Sequence, residues 1–490
     1  MNFGRLARTV VRLHPLQIAT RAPHAVVARA IHDVPGALPP RAFGPWPEPD
    51  RALRHLANAE RVRGAQRLAR LASGSRLRAY ESCYGLELGA DGDTPPGDWS
   101  SRPAVEAYPA SIRARRLAVA MRCGRRGLES ELARAARAVL LQPEVHLLGN
   151  HLLENGFALA CAASAMRGAE PELWWSAGHH LLAWQLPQQF SADGGHIERS
   201  ASYHVALTAA LLETIELADA SGRAAPRLWR EVARTALAWI AAVRAPDGTY
   251  PLFNDAALDA APTIEDVLAL GTALDLPPGE PSEPQGWVRL ANEQAWMIVD
   301  AGPDAEGWQT GHVHADGLTF ELWIHGERKV VDFGVSSYEP GSERDDTRAT
   351  RSHNTVEIGG ADSCEVWAAF RLGRRGRGRV LSKENRNGTE WLELEHDGYS
   401  WMSGGPRHHR SFALKARGLE VQDWVVGGDS EWRSHLRLAS AERLRVWSDG
   451  EISHHDGPWH PRHGDPRAAT VMEQRSLTGD ARRVVWRLEW

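Results

Sequence analysis

Apolar residues recur with a helical period through the middle of the chain. Between residues 108 and 248, six segments place them at positions i, i+3, i+4 and i+7, as in an amphipathic helix. Each segment ends at glycine, proline or a polar turn, which are common helix-termination signals. Helices of this kind joined by short links predict an α/α array or toroid. A further helical pattern covers residues 51–73, whereas turn-forming residues predict a loop at 89–103.

The period changes to two after the proline-rich segment 274–286, which we take as the domain boundary. Alternating patterns separated by Gly, Asp and Asn turns then predict strands, beginning with "AWMIVDAG" and "LTFELWIHGERKVVDFG". Several strands in series favour an antiparallel sandwich. The predicted fold class is multidomain α + β, an N-terminal α/α toroid followed by a C-terminal antiparallel β-sandwich. We assign residues 1–100 to a partly helical N-terminal segment, 101–280 to the toroid and 281–490 to the sandwich.

Composition is that of an ordinary globular protein. Of the 490 residues, 43% are hydrophobic and 24% are charged. The formal net charge of −5 gives no reason to expect nucleic acid as a partner. The four cysteines lack CxxC spacing, so neither a disulfide framework nor a thiolate zinc site is expected. No segment approaches the roughly 18 apolar residues of a membrane span, and the basic N-terminus lacks the apolar region of a secretory signal.

Two histidines one residue apart, His312 and His314, occur in "GHVHADG" in front of a predicted strand. Asp332 follows the next apolar run, and His353 lies in "RSHNTVEI". Histidine and aspartate are a ligand mix that suits Zn²⁺, so His314, Asp332 and His353 form a candidate metal site. The alternative is a set of polar residues at sheet ends. If "HGER" is a hairpin turn, Asp332 faces Glu321, and "HADG" must fold back to bring the ligands together.

The helical half holds a second group of chemically active residues. The segment "GNHLLENG" places Asn150, His151 and Glu154 at a helix start, the last two on one helix face. Asn150 alone fits a helix N-cap equally well. A tyrosine at helical spacing is more often a core residue than a catalyst. The neighbouring segments "GGHIERSASYH" and "PLFNDAA" contain Arg199, Tyr203 and Asn254.

These segments, taken in order, resemble the signature blocks of the heparinase II/III superfamily of polysaccharide lyases. The blocks are "NHLLENGFAL", "DGGHIERSASYH", "PLFNDAA", "GHVHADGLTFEL…VVDFG" and "YEPGSERDDTRATRSHNTVEI". The similarity runs from about residue 105 to residue 375 and is specific because several independent blocks match in sequence. It implies an incomplete α/α toroid followed by an antiparallel β-sandwich.

The resemblance also implies a reaction. Such enzymes cleave the bond at C4 of a uronic acid by β-elimination, which needs a group that neutralises the carboxylate, a base for the C5 proton and an acid for the leaving O4. Asn150 matches the neutralising asparagine, while Tyr203 and His312 match the catalytic tyrosine and the histidine of the opposing domain. His151 is an alternative base, and Glu154 matches an acidic site residue of some members.

Substrate-binding and metal residues complete the expected site. The residues expected at the substrate are Glu154, Arg199, Asn254, Tyr338 and Arg348. By resemblance, His314, Asp332 and His353 match the ligands of a Zn²⁺ ion found in part of the family, where its role is structural.

The leading interpretation is a carbon–oxygen lyase that acts on an acidic polysaccharide of heparan-like, alginate-like or bacterial capsular type. A uronate C5-epimerase needs the same proton abstraction, and a non-catalytic glycan-binding protein of polysaccharide assembly needs only the scaffold. A metal-dependent hydrolase built on the histidines and Asp332 is a further alternative. The resemblance favours the cell envelope or periplasm, with the cytoplasm as the alternative because no signal peptide is visible. A homodimer is one assembly to test.

Overall fold

Helices dominate the chain up to residue 273 and strands dominate beyond residue 287. The computed structural model describes residues 3–30, 41–43, 46–73, 75–83, 105–280, 283–476 and 483–490, so the loop predicted at 89–103 lies outside the described residues. The helices are α1 (Phe3–Val10), α2 (Pro15–Ala30), α3 (Arg51–Arg70), α4 (Arg76–Cys83), α5 (Ala107–Arg122), α6 (Glu129–Leu141), α7 (Asn150–Ala165), α8 (Ala169–Gln189), α9 (Ala201–Ala220), α10 (Arg227–Val243), α11 (Ile264–Ala273) and α12 (Ser342–Arg348).

An α/α toroid forms the helical half, which confirms the predicted fold class. All six segments predicted as helices between residues 108 and 248 are helical and correspond to α5 through α10. Helix α7 packs against α5, α6, α8 and α9. Small residues allow this packing, since α7 and α8 approach each other too closely at Gly156 and Gly178 to leave room for a Cβ atom.

The C-terminal half is an antiparallel β-sandwich. Its larger sheet has the strand order β16-β17-β14-β6-β5-β4-β3, with β7 paired to β14, and its smaller sheet has the order β10-β11-β12-β13-β18-β15. Two further pairs, β1 with β2 and β8 with β9, lie outside these sheets. The strands are β1 (Arg41–Ala42), β2 (Met166–Arg167), β3 (Trp287–Ala291), β4 (Ala295–Asp300), β5 (Phe320–Ile324), β6 (Glu327–Val330), β7 (Val356–Ile358), β8 (Val366–Trp367), β9 (Arg371–Leu372), β10 (Gly378–Arg386), β11 (Thr389–His396), β12 (Arg407–Lys415), β13 (Gly418–Val426), β14 (Trp432–Leu438), β15 (Arg445–Ser448), β16 (Ile452–Arg462), β17 (Asp465–Arg475) and β18 (Arg483–Glu489).

The central strands of the larger sheet are buried on both faces. In β4, Trp296 and Ile298 belong to the core of the helical half, whereas Met297 and Val299 belong to the core between the two sheets. Burial on both faces explains why this part of the sequence contains continuous apolar runs rather than strict alternation. The two halves of the protein therefore share one sheet, and this shared sheet fixes their relative position.

The N-terminal helices link the two halves at a second place. In α1, Arg8 Nε donates to Glu365 Oε2 of the C-terminal half over 2.7 Å. In α2, Gln17 Nε2 donates to the carbonyl oxygen of Leu147 in the helical half over 2.8 Å. The predicted N-terminal segment is therefore partly helical and contacts both halves.

The described residues also answer two questions raised by the sequence, whether a helix could span a membrane and whether cysteines are paired. None of the helices in the described ranges is both long enough and apolar enough to cross a membrane. Cys123, Cys161 and Cys364 are free thiols.

Replacement of Gly178 by valine tests the close packing of α7 and α8. A Cβ atom at this position would lie 2.8 Å from the backbone nitrogen of Ala160 and 2.9 Å from the carbonyl oxygen of Gly156. We expect the free energy of unfolding to fall by about 1–3 kcal/mol, because neither backbone atom can move without shifting a helix. Urea denaturation followed by circular dichroism measures the change.

The matched control is Gly279→Val, since the nearest atom to a Cβ there is Ala238 Cβ at 3.9 Å. An equal loss of stability in the two variants would contradict the packing explanation.

Candidate active site

A cavity of about 860 Å³ lies between the helical half and the sandwich. Helices α1 and α2 contribute to its wall through Thr9, Gln17 and Arg21. Side chains from sequence blocks that are far apart therefore share this space. The predicted site residues on the wall are Asn150, His151, Glu154, Tyr203, His312 and Tyr338.

Asn150 is the first residue of α7 and is held by Glu198. The N-cap of this helix is Gly149, so the alternative interpretation of Asn150 as an N-cap is wrong. Glu198 accepts from the Asn150 backbone N–H over 2.9 Å and from Asn150 Nδ2 over 2.7 Å. Burial raises the pKa of Glu198, but His312, a neighbouring histidine and the Asn150 donors outweigh burial and lower it. The ionised carboxylate fixes the orientation of the amide.

His312 is oriented by Asp255, which was not predicted as a site residue. The His312 Nδ1 atom lies 2.8 Å from Asp255 Oδ2, so the carboxylate favours the tautomer with the proton on Nδ1. The other ring nitrogen, Nε2, lies 3.4 Å from Asn150 Nδ2 and 3.5 Å from Glu198 Oε2. In this tautomer Nε2 carries the lone pair and can accept a proton, and His312 lines the cavity.

Asp255 also binds two other side chains of the sandwich half. His314 Nε2 lies 2.8 Å from Asp255 Oδ1, and Arg344 donates to both oxygens, 2.7 Å from Nη2 to Oδ2. The side chains of Asp255, His314 and Arg344 are fully buried. Burial raises the pKa of Asp255, but Arg344, His312 and His314 hold it well below its usual range. One carboxylate of the helical half therefore positions three side chains of the other half.

Tyr203 lies directly against His312, with ring centroids 4.1 Å apart. Its hydroxyl donates to the hydroxyl oxygen of Tyr338 over 3.2 Å. Burial, reinforced by Tyr338 and Asp255, raises the pKa of Tyr203 well above its usual value. The phenol therefore keeps its proton at neutral pH and is suited to proton donation.

His151 lies on the wall beside Asn150 and carries a carboxylate partner of its own. Its Nδ1 atom is 3.0 Å from Glu144 Oε1, and its ring stacks on Tyr108 with centroids 4.0 Å apart. Burial lowers the pKa of His151, but Glu144 outweighs burial and raises it. Glu144 therefore favours the imidazolium form of His151, and the two side chains form an ion pair beside Asn150.

Glu154 forms a buried ion pair on the same wall. Arg115 Nε lies 3.2 Å from Glu154 Oε2, and this arginine also binds Glu213. Glu154 thus already has a cationic partner within the protein, which it shares with Glu213.

Three of the predicted substrate-binding residues are not on the cavity wall. Arg199 forms an ion pair with Asp300, and Arg348 donates to three backbone carbonyl groups. Asn254 donates to the carbonyl of Arg199 and accepts from the backbone N–H of His314. None of the three is more than 8% exposed. Their contacts position the loops that form the wall.

A second group, behind His312, has the composition of a metal site. One potential ligand atom from each of His314, Asp316 and His353 lies within 4.8 Å of the others, and all three residues are buried. His314 Nδ1 and His353 Nε2 are buried without a hydrogen-bond partner among the described residues. The residues present therefore fit a metal ion.

Asp332, the carboxylate predicted as a metal ligand, contacts His353 instead of joining this group. Its Oδ1 atom lies 2.9 Å from His353 Nδ1, the nitrogen on the other side of the ring from Nε2. The predicted register is wrong, because His325 and Gly326 alone form the turn and Leu322 pairs with Val330. The backbone N–H of Asp332 donates to the side chain of Glu321, and "HADG" folds back to place His314 near His353. In this geometry Asp332 orients a ligating histidine. Its direct ligation stays a prediction, and Asp316 was missed.

Two family models match the chain. The model described as Heparinase II/III N-terminus matches residues 133–273, and Heparinase II/III-like, C-terminal matches residues 277–485. Together these ranges cover more than half of the chain. A heparin-sulfate lyase of Bacteroides thetaiotaomicron is 23% identical over 326 residues, which are 57% of this chain and 44% of that protein. This chain therefore spans less than half the length of that curated relative.

Solved structures share the fold. A structure of heparinase III has a TM-score of 0.63 at 17% identity and covers 97% of this chain and 85% of its own. The heparan sulfate lyase HepC from Pedobacter heparinus has a TM-score of 0.55 at 17% identity, with coverages of 96% and 88%. At this level of identity, the likeness establishes the toroid-and-sandwich architecture.

The substitution Asp255→Asn tests whether this carboxylate holds the two halves together. It leaves Arg344 fully buried without a counter-charge, and we expect the free energy of unfolding to fall by about 3–5 kcal/mol. Guanidinium denaturation followed by tryptophan fluorescence measures the loss.

The control is Asp449→Asn, which removes the partner of Arg487 in an exposed Asp–Arg pair. Little change is expected there, because solvent screens an exposed pair. Similar losses of stability in both variants would show that the buried Asp255–Arg344 pair contributes no more than an exposed pair.

Proposed function

The chain belongs to the heparinase II/III family, and on this basis we propose that it is a polysaccharide lyase that cleaves a uronic-acid-containing polysaccharide by β-elimination. The observation that carries the proposal is the convergence of Asn150, Tyr203 and His312 on one cavity between the two halves. An amide donor, a phenol and an imidazole are the three kinds of group that this reaction requires.

The first requirement of the reaction is stabilisation of the uronate carboxylate. The C5 proton is weakly acidic while the neighbouring carboxylate carries its full negative charge. Asn150 Nδ2, held in place by Glu198, donates to the carboxylate and stabilises the charge that develops on it as C5 is deprotonated. His151 on the same wall is a second hydrogen-bond donor, because Glu144 favours its protonated form, in which both ring nitrogens carry a proton. A protonated His151 suits this binding role better than the alternative role of base.

Proton transfer then involves His312 and Tyr203. His312 Nε2 accepts the proton from C5, and Asp255 stabilises the imidazolium that forms. Tyr203 donates its phenolic proton to O4 as the C4–O4 bond breaks. The electron pair of the C5–H bond becomes the C4–C5 double bond, and the products are a 4,5-unsaturated uronate and a free hydroxyl group. Exchange with solvent returns the proton to Tyr203 and removes the one on His312.

The metal of the His314 group is proposed to be zinc. His314, His353 and a carboxylate, Asp316 or Asp332, would hold the ion, which would join the two loops that carry the histidines. His314 and His312 share Asp255 as a partner, so a fixed His314 also restrains His312. The proposed role of zinc is therefore structural. Location in the cell envelope and assembly as a homodimer are further proposals, which rest on the family resemblance alone.

The substitution Tyr203→Phe tests the proposed chemistry. It removes the acid while keeping the aromatic ring against His312, and we expect the elimination rate to fall by about 10²- to 10⁴-fold with polymer binding largely kept. The rate is measured as ultraviolet absorbance of the unsaturated product on a panel of uronate polysaccharides.

Tyr399→Phe is the matched control, because Tyr399 is a buried tyrosine whose hydroxyl donates to a backbone carbonyl in the sandwich. Full turnover by Tyr203→Phe would refute the assignment. Product without unsaturation but with an inverted C5 would identify an epimerase, and binding without any product would identify a glycan-binding protein.

Elemental analysis of the purified protein tests the metal proposal. We expect about one zinc ion per chain, its loss in His353→Ala, and a lower melting temperature after chelation, since an ion bound only by the folded state stabilises it. The control is His408→Ala, which alters another buried histidine with a carboxylate partner but lies outside the His314 group. A metal-free preparation of full thermal stability would remove zinc from the site.

A further inference from the structure

The wall of the active-site cavity carries more carboxylate than guanidinium groups. Among its described lining residues are eight glutamates and six arginines, with no lysine and no aspartate. A wall of this composition is not the usual partner of a densely anionic polymer, because cationic side chains steer and bind such polymers. The arginines are Arg21, Arg67, Arg76, Arg115, Arg116 and Arg371.

Four of these arginines are already paired with glutamates of the same wall. Arg115 binds both Glu154 and Glu213, and Arg67 binds Glu81 over 2.5 Å. All five of these side chains are at most 12% exposed. The remaining two pairs are Arg76 with Glu106 and Arg116 with Glu60. Such pairs neutralise each other, so these guanidinium groups do not offer a net positive charge to an incoming anion.

The two remaining arginines of the wall and two of its histidines add little positive charge to the cavity. Arg21 and Arg371 are exposed, and the guanidinium of Arg371 lies over the ring of Trp367. His24 and His146 stack on each other with centroids 3.8 Å apart, and burial lowers the pKa of both, that of His146 to about 4. These two histidines are therefore neutral at pH 7. The inner part of the cavity offers Asn150 and His151, whose charge Glu144 already balances, as hydrogen-bond donors to a single carboxylate.

We propose that the substrate is a uronate polysaccharide that carries few or no sulfate groups. A sulfate is bound well by guanidinium or ammonium groups that lack another partner, whereas each additional sulfate in this cavity would face the repulsion of nearby glutamates. One carboxylate per uronate meets the Asn150 and His151 pair. This inference rests on the proposed lyase function, and it restricts the heparan-like candidates to their unsulfated forms.

The test compares polymers with and without sulfate, using the full chain. The panel holds an unsulfated polymer of glucuronic acid and N-acetylglucosamine, its sulfated counterparts heparan sulfate and heparin, and two sulfate-free polyuronates, alginate and polyglucuronate. We expect the best substrate to be sulfate-free, with kcat/KM at least about tenfold above that of any sulfated polymer. A tenfold ratio corresponds to about 1.4 kcal/mol of discrimination.

Two results would overturn different statements. Equal or faster cleavage of a sulfated polymer would overturn the inference about sulfate and leave the lyase function in place. Absence of unsaturated product from every polymer of the panel would overturn the proposed lyase function, and the inference with it.

A charge-reversal pair tests the electrostatic cause. Glu339 is an exposed glutamate of the cavity wall, and Glu293 is an exposed glutamate of the turn between β3 and β4, away from the wall. The readout is the inhibition constant of heparin against cleavage of the best substrate. Glu339→Lys should lower this constant several-fold, whereas Glu293→Lys, with the same change of charge, should leave it unchanged. An equal constant in both variants would contradict the inference.

Discussion

The buried carboxylate of Asp255 is the interaction on which the proposed active site depends. It comes from a loop of the helical half, and its two oxygens bind His312, His314 and Arg344 of the other half. A carboxylate removed from water destabilises the protein unless such partners satisfy it. The partners can satisfy it only in one relative arrangement of the two halves. The geometry of His312 and the contact between the halves are therefore two results of the same interaction.

The rest of the scaffold limits how far this arrangement can change. Strand β4 contributes alternate side chains to the core of the helical half and to the core between the sheets. A shift of this strand along either partner would disturb both cores, because interiors are close-packed. Glu198 also limits movement within the site, because its two hydrogen bonds fix Asn150 at the start of α7. Groups that transfer protons need such fixed positions, since a small displacement removes them from hydrogen-bond reach.

Much of the fold could be predicted from periodicity, whereas the partners of the site residues could not. Helices α5 through α10 and the main sandwich strands leave direct patterns of burial in the sequence, but short elements such as α11 and β3 leave too few residues to detect. Asp255 and Glu198 lie inside the quoted blocks, yet their roles depend on contacts with residues far away in the chain. Arg199 and Arg348 were predicted to bind substrate, but they bind groups of the protein itself. An arginine in such a block suggests anion binding, and only the folded structure reveals the carboxylate and the carbonyl groups that surround it.

The link made by the N-terminal helices has a consequence for the contact between the two halves. Helix α1 is attached to the C-terminal half through Arg8 and Glu365, while α2 is attached to the helical half through Gln17. Any motion that separates the two halves at this place must break the contact of Arg8 with Glu365 or the hydrogen bond of Gln17 with Leu147. Because Arg8 is partly exposed, dissolved ions screen its contact with Glu365, so this attachment weakens as the salt concentration of the medium rises.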